Sequence, residues 1–176
     1  GQIGCRTEVL YARVRGLFAG TRLFTEYTSD ITGISWSVIL KNVYAMVFGM
    51  ADELRLGDNM RGYLAVASLH ELDQIVRAMG GRSGSPFHLA GLGDLIATAT
   101  SDESHHHQLG RMLARGETAG IEGEGVHTLA MVSRHRLLPE AHYPLFHLVH
   151  EMVSDPRDAR ARIDAFLQRR YAAPFQ

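Results

Sequence analysis

Past Asp30 the chain reads as helix with no strand between, while its one convincing β-prone stretch, Leu23-Phe24-Thr25-Glu26-Tyr27-Thr28, lies ahead of that point. That stretch alternates as a half-buried strand does. The residues before it, with Val9, Leu10, Val14, Leu17 and Phe18 at helical spacing, read as one amphipathic helix closed by Gly20. A lone helix and a lone strand cannot bury their own apolar faces, because a strand needs a sheet. The chain is therefore expected to open inside a larger fold. Residues 1–30 would be the tail of a preceding domain, and residues 31–176 a helical domain of their own. The fold class is all-α, a multi-helix domain with a short helix and strand remnant at its start.

Helices are expected at roughly 34–55, 58–79, 86–97, 104–115, 123–136, 140–153 and 156–169. Gly80-Gly81, Gly116 and Pro139 punctuate them. In Asp155-Pro156-Arg157-Asp158 the aspartate is expected to cap a helix whose first position proline takes. At 176 residues the chain can build one well-packed core, or one domain with part of another. A formal net charge of -1, with 45% hydrophobic and 21% charged residues, argues against disorder and against a general nucleic-acid or anionic-membrane binder. Small molecules or other subunits remain as partners. Cys5 is the only cysteine, so an internal disulfide is excluded, which fits a reducing compartment. With no uninterrupted apolar run of about 18 residues and no basic-then-apolar leader, no membrane span is expected and a cytoplasmic location is.

Lys41 is the only lysine, the other 17 of the 18 basic residues being arginine, and it interrupts the apolar stretch Val38-Ile39-Leu40-Lys41-Asn42-Val43. A guanidinium stays protonated, whereas an ammonium in apolar surroundings can be tuned to take and return a proton near neutrality. Its alternative is a lysine that packs its stem and carries its charge out to water. At the helical period Ser37 and Asp52 share its face and are expected to give it a polar row, while Ile39, Val43, Met46, Val47 and Met50 form a core stripe. Asn42, next in sequence, could orient a substrate oxygen or be satisfied within the core.

In Ala90-Gly91-Leu92-Gly93-Asp94-Leu95, two glycines deliver an aspartate at a helix start, where it is either a simple cap or a functional carboxylate. Thr98 lies four residues on, on the same helix face. Neither this block nor Gly123-Glu124-Gly125 has the glycine spacing of a pyrophosphate turn. His105-His106-His107 invites a metal, but consecutive helical residues point about 100° apart and no Cys or carboxylate cluster joins them at ligand spacing, so no metal site is assigned.

Asp30-Ile31-Thr32-Gly33, Leu40-Lys41-Asn42-Val43-Tyr44-Ala45, Leu56-Gly57-Asp58-Asn59, Ala90-Gly91-Leu92-Gly93-Asp94-Leu95 and Thr98-Ala99-Thr100-Ser101 resemble the NAD-dependent glycerol-3-phosphate dehydrogenases in order and spacing. The resemblance implies the all-helical C-terminal substrate domain of that family, similar in fold to the 6-phosphogluconate dehydrogenase C-terminal domain. It makes residues 1–30 the end of a Rossmann-type nucleotide-binding domain. It implies that Lys41 is the catalytic proton donor and acceptor, and that Asn42, Asp94, Thr98, His105 and His106 border the substrate. His105 and Glu124 would touch an NAD or NADP held mainly by the other domain. The implied substrate is a phosphorylated triose or polyol, and the implied assembly a homodimer.

The departures are as specific. Where the family continues Pro-x-Ser-Arg-Asn-Arg, this chain has Ser104-His105-His106-His107, which exchanges a fixed, fork-shaped charge for imidazoles that are mostly neutral at pH 7. Small residues that usually precede the lysine are Ser37, Val38 and Ile39 here, beside the bulky Trp36. A substrate-shifted or catalytically silent helical module for dimerisation or ligand binding is thus the competing expectation.

Overall fold

The computed structural model describes residues 1–172 and opens on a small βαβ unit. Strands β1 (Gln2–Gly4) and β2 (Glu26–Thr28) run parallel, with Gln2 opposite Glu26 and Gly4 opposite Thr28, joined by helix α1 (Glu8–Gly16). The opening is therefore not one helix. Gln2-Ile3-Gly4 is a strand, and Thr7, whose hydroxyl accepts from the Leu10 N–H, caps a shorter helix that ends before Gly20. Parallel pairing requires such a crossover, and a three-residue strand is too short for alternation to announce it.

Asp30 turns the chain into the helical body. Its carboxylate accepts from the backbone N–H groups of Gly33 and Arg82 and from the Ser85 hydroxyl, so it caps α2 (Ile31–Glu53) and ties a distant loop to that helix's first turn. Burial alone would raise its pKa, but these hydrogen bonds outweigh burial and hold the carboxyl below its ordinary value.

The 23-residue α2 is apolar nearly all round, and Leu40, Val43, Tyr44, Ala45 and Met46 have no exposed surface. By length and composition it could cross a bilayer, yet 56% of its most apolar window is buried inside the molecule, the condition of a core helix. Around it pack α3 (Asp58–Ala78), α4 (Asp94–Ala99), α5 (His105–Ala114), α6 (Glu124–His135) and α7 (Pro144–Ser154), with α8 (Ala159–Ala172) against α7. The α2–α5 crossing is the tightest. A Cβ on Gly49 would fall on the His107 carbonyl oxygen, and one on Gly110 on the Met46 carbonyl oxygen, so glycine on both helices is what lets the backbones touch.

A carboxylate is built into the middle of this body. Glu71 on α3 is 2% exposed and accepts from the N–H groups of Leu145 and Phe146, at 2.7 and 2.9 Å, and from the Tyr44 hydroxyl at 3.2 Å. It answers the free N–H groups of the α7 N-terminus. Burial pushes its pKa up to about 7, and burial beside that carboxylate pushes the Tyr44 hydroxyl well above its ordinary range.

The expected helices appear, with three boundary corrections. Residues 86–97 are not one helix but a 3-10 turn (Ser85–Phe87), a π turn (Leu89–Gly93) and then α4, because His88 is extended between them. Residues 140–153 begin as a 3-10 turn (Glu140–His142), and Pro144 opens α7, since the residue before a proline leaves the helical region. Asp155 does not cap α8. Its carboxylate accepts from the Arg157 N–H in a local turn, and Asp158, at φ 55°, delays the helix to Ala159. Residues 173–176 of the expected helical domain lie outside the described residues.

Candidate active site

Lys41 stands where α2 reaches the surface, its side chain 15% exposed. Its Nζ lies 2.9 Å from Asp94 Oδ1 and donates to Thr98 Oγ1 at 3.2 Å. The Thr98 hydroxyl spends its own proton on the Asp94 carbonyl oxygen at 2.7 Å, so a lone pair faces the amine. The amine is thus held by two acceptors from one short helix. Asp94 can serve because it caps nothing. Gly93 occupies the cap position of α4, and no side chain caps the helix there. The π turn that delivers Asp94 passes so close to the preceding loop that a Cβ on Gly91 would meet the Pro86 carbonyl oxygen. Single π turns of this kind recur at functional sites.

A second cluster adjoins the first. Asn42 is 5% exposed, and its Nδ2 donates to Glu124 Oε2 at 2.9 Å. The Gly125 N–H, in the first turn of α6, donates to His106 Nε2 at 3.2 Å, which leaves the His106 ring proton on Nδ1. Burial, and then the charges of His105 and Lys41, lower the His106 pKa, with Glu124 opposing, so the neutral ring is favoured at pH 7. His105 Nε2 donates to the Glu122 carbonyl oxygen at 2.7 Å. Among the described residues bonded into these clusters none is an arginine.

Lys41, Asp94 and Thr98 therefore come together directly, and Asn42, Glu124 and His106 form the adjoining group, while His105 turns to the loop before α6. The polar row expected along α2 does not form. Ser37 bonds back to the Gly33 carbonyl oxygen, and Asp52, three turns beyond Lys41, pairs instead with Arg61 at 3.2 Å and His107 at 2.7 Å. A shared helix face sets direction but not reach. The three histidines part company as helical neighbours must, and among the described residues no group of three His, Cys, Asp or Glu is placed to hold a metal ion. Sequence reasoning missed the Asp52–His107 pair and the Asn42–Glu124 bond. Their partners stand 55 and 82 residues apart, and neither spacing carries a local signal.

A helical domain wrapped on one central helix, with a lysine held between a carboxylate and a hydroxyl at its rim, is the class these features define. The matching family is described as NAD-dependent glycerol-3-phosphate dehydrogenase C-terminus, and it covers residues 30–164. The chain belongs to that family. It is 36% identical over 161 residues to glycerol-3-phosphate dehydrogenase [NAD(P)+] of Rhodospirillum rubrum, covering 87% of this chain and 46% of that protein. It is 35% identical over 169 residues to the Thermus thermophilus enzyme of the same name, covering 92% of this chain and 52% of that one. The crystal structure of glycerol-3-phosphate dehydrogenase from Coxiella burnetii superposes with a TM-score of 0.80 at 25% identity, covering 94% of this chain and 53% of that one. The chain thus spans about half the length of the curated relatives it matches.

Proposed function

We propose that this chain is the substrate-side half of an NAD(P)-dependent dehydrogenase of the glycerol-3-phosphate type, with Lys41 as its proton donor and acceptor. The observation that carries the reading is the amine itself, held 2.9 Å from Asp94 and 3.2 Å from Thr98. When bound, the nicotinamide supplies or takes up the hydride at the substrate C2 carbon. In the reducing direction Lys41 gives a proton to the C2 oxygen as negative charge grows there, so the ketone becomes a secondary alcohol and the amine is left neutral, to be recharged from water. Asp94 and Thr98 hold the amine in place through both states. Asn42 borders the substrate beside it.

His105 and Glu124 fit a peripheral contact with the cofactor and not its main cradle, because each already spends one polar atom inside the domain and keeps one free. Residues 1–30 are read as the closing βαβ piece of the nucleotide-binding half. A two-stranded sheet is too small to be stable by itself, and Val9 and Leu17 on and just after its crossover helix, with Phe24 in the loop before β2, stand 74%, 79% and 84% exposed.

A second reading has one observation in its favour. Lys41 is already matched by Asp94, Glu124 adds a negative charge, and His106 favours its neutral form, so a phosphate dianion finds no unmatched fixed cation in this cluster. A substrate without phosphate fits that charge balance. Both readings are tested by assaying the full-length protein with NADH and NADPH on dihydroxyacetone phosphate and on dihydroxyacetone. Reduction of the phosphate ester that is lost in Lys41→Ala supports the first, a preference for the unphosphorylated ketone supports the second, and turnover unaffected by Lys41→Ala overturns both.

A further inference from the structure

Glu124 stands exposed at the start of α6, with one carboxylate oxygen, Oε2, reaching the Asn42 amide on α2. A carboxylate only accepts hydrogen bonds, so the end of the Asn42 amide that meets it must be Nδ2. The other end is then fixed. Asn42 Oδ1 has no partner among the described residues, yet it is not among the buried unpaired atoms, so it remains open to solvent as an acceptor. We propose that Glu124 is a positioning residue, which holds the Asn42 amide with Oδ1 free to receive a substrate hydroxyl beside the Lys41 amine.

The first turn of α6 is tied to α5 by the Gly125 N–H, which donates to His106, while the Thr128 hydroxyl donates back to the Glu124 carbonyl oxygen at 2.8 Å within α6 itself. A free asparagine amide can turn end for end at little steric cost, because its oxygen and nitrogen are nearly the same size. A charge-assisted bond to one end removes that freedom. The His106 ring feels the charges of both Lys41 and Glu124, so the amine and the Asn42–Glu124 pair border one region although they leave α2 toward different helices. The amine and the amide oxygen suit the carbonyl and the neighbouring hydroxyl of dihydroxyacetone phosphate or dihydroxyacetone, the α-hydroxyketones of the proposed function.

This inference rests on the proposed role of Lys41, and its test separates the two. In the full-length protein at saturating cofactor, Glu124→Ala is expected to raise KM for the hydroxyketone about tenfold, with any change in KM for the cofactor measured separately to isolate the peripheral contact. Glu124→Gln keeps an acceptor oxygen for Nδ2, but its own amide can also turn, so its KM is expected to rise by clearly less than in Glu124→Ala without matching the parent. The Asn42 side-chain amide resonances, read by NMR without turnover, are expected to shift in Glu124→Ala and to return only in part in Glu124→Gln. Equal KM changes in the two variants would mean that charge and not orientation matters, and an Asn42 signal unmoved in Glu124→Ala would mean that nothing was being held. Either overturns the proposal. Turnover unaffected by Lys41→Ala would instead overturn the dehydrogenase reading, with the Asn42 signal still reporting on Glu124.

Discussion

At the scale of single residues, a lysine in a chain otherwise supplied with arginine draws its meaning from what the two cations can do. Lys41 makes contacts that an arginine could largely copy, one carboxylate oxygen and one hydroxyl. A structural ion pair would therefore survive the exchange, and a proton-transfer site would not, because a guanidinium does not give up its proton. If the proposed function holds, Lys41→Arg in the full-length protein is expected to retain the fold and lower kcat by about 10²–10⁴, the range general acid–base catalysis contributes. Steady-state kinetics beside a thermal melt checks both halves. His106 allows a second measurement at this scale. Its titration, followed by NMR, is expected to have a midpoint below the ordinary 6.5, through burial first and the nearby positive charges second. A midpoint above 6.5 would mean that Glu124 outweighs them. Lys41, Asp94 and Thr98 were legible in the sequence because each stands in a short motif with a chemical reason behind it. The Asp52–His107 pair was not, because ion pairs between distant helices depend on a crossing that no local pattern announces.

At the scale of elements, α7 is docked through its N-terminus onto one buried carboxylate, Glu71. The folded-state pKa of about 7 lies above the ordinary 4.5, so the stability this group contributes is fully present below about pH 4.5 and is lost as pH rises through about 7. At about 1.4 kcal/mol per pKa unit the loss between those limits is of order 3 kcal/mol. Other groups titrate in the same window, histidines among them, so the comparison with Glu71→Gln isolates this one. The unfolding free energy of the parent relative to the variant is expected to fall between pH 5 and 8, and a difference that stays flat or rises would show Glu71 ionised throughout. The α2–α5 crossing gives a second case. Gly110→Ala drives a methyl into the Met46 carbonyl oxygen and is expected to cost about 1–3 kcal/mol in urea denaturation, more if the helices cannot part. Helix periodicity found α2, α3, α5 and α6 to within a few residues at either end. It failed where the backbone departs from α geometry, at the π turn before Asp94 and the left-handed Asp158, because these are set by packing against loops and not by the order of apolar residues.

At the scale of the whole molecule, the two parts of the chain are finished to different degrees. The helical body buries its long apolar helix from Asn42 to Ala51 and leaves Ile31, Val38 and Ile39 near its start partly exposed, while the βαβ unit leaves Val9, Leu17 and Phe24 largely in water. Single exposed apolar residues are ordinary. Three large ones on and beside the crossover helix of a two-stranded sheet fit the proposed reading, in which a larger sheet and its helices cover them. That reading separates two proteins by one pair of substitutions. In the chain of 176 residues, Leu17→Glu with Phe24→Asp removes apolar groups that are already hydrated, so the unfolding midpoint is expected to hold while self-association declines. In a longer protein that carries the nucleotide-binding half, the same pair would bury two charges in place of two apolar side chains. Each apolar side chain is worth about 1.5–3 kcal/mol when buried, so the pair is expected to cost about 3–6 kcal/mol there and to reduce cofactor affinity with it. Equal costs in both would mean that this face is solvated in both. The βαβ unit would then be an appendage of the helical domain, and the site beside Lys41 would have to receive its cofactor from elsewhere.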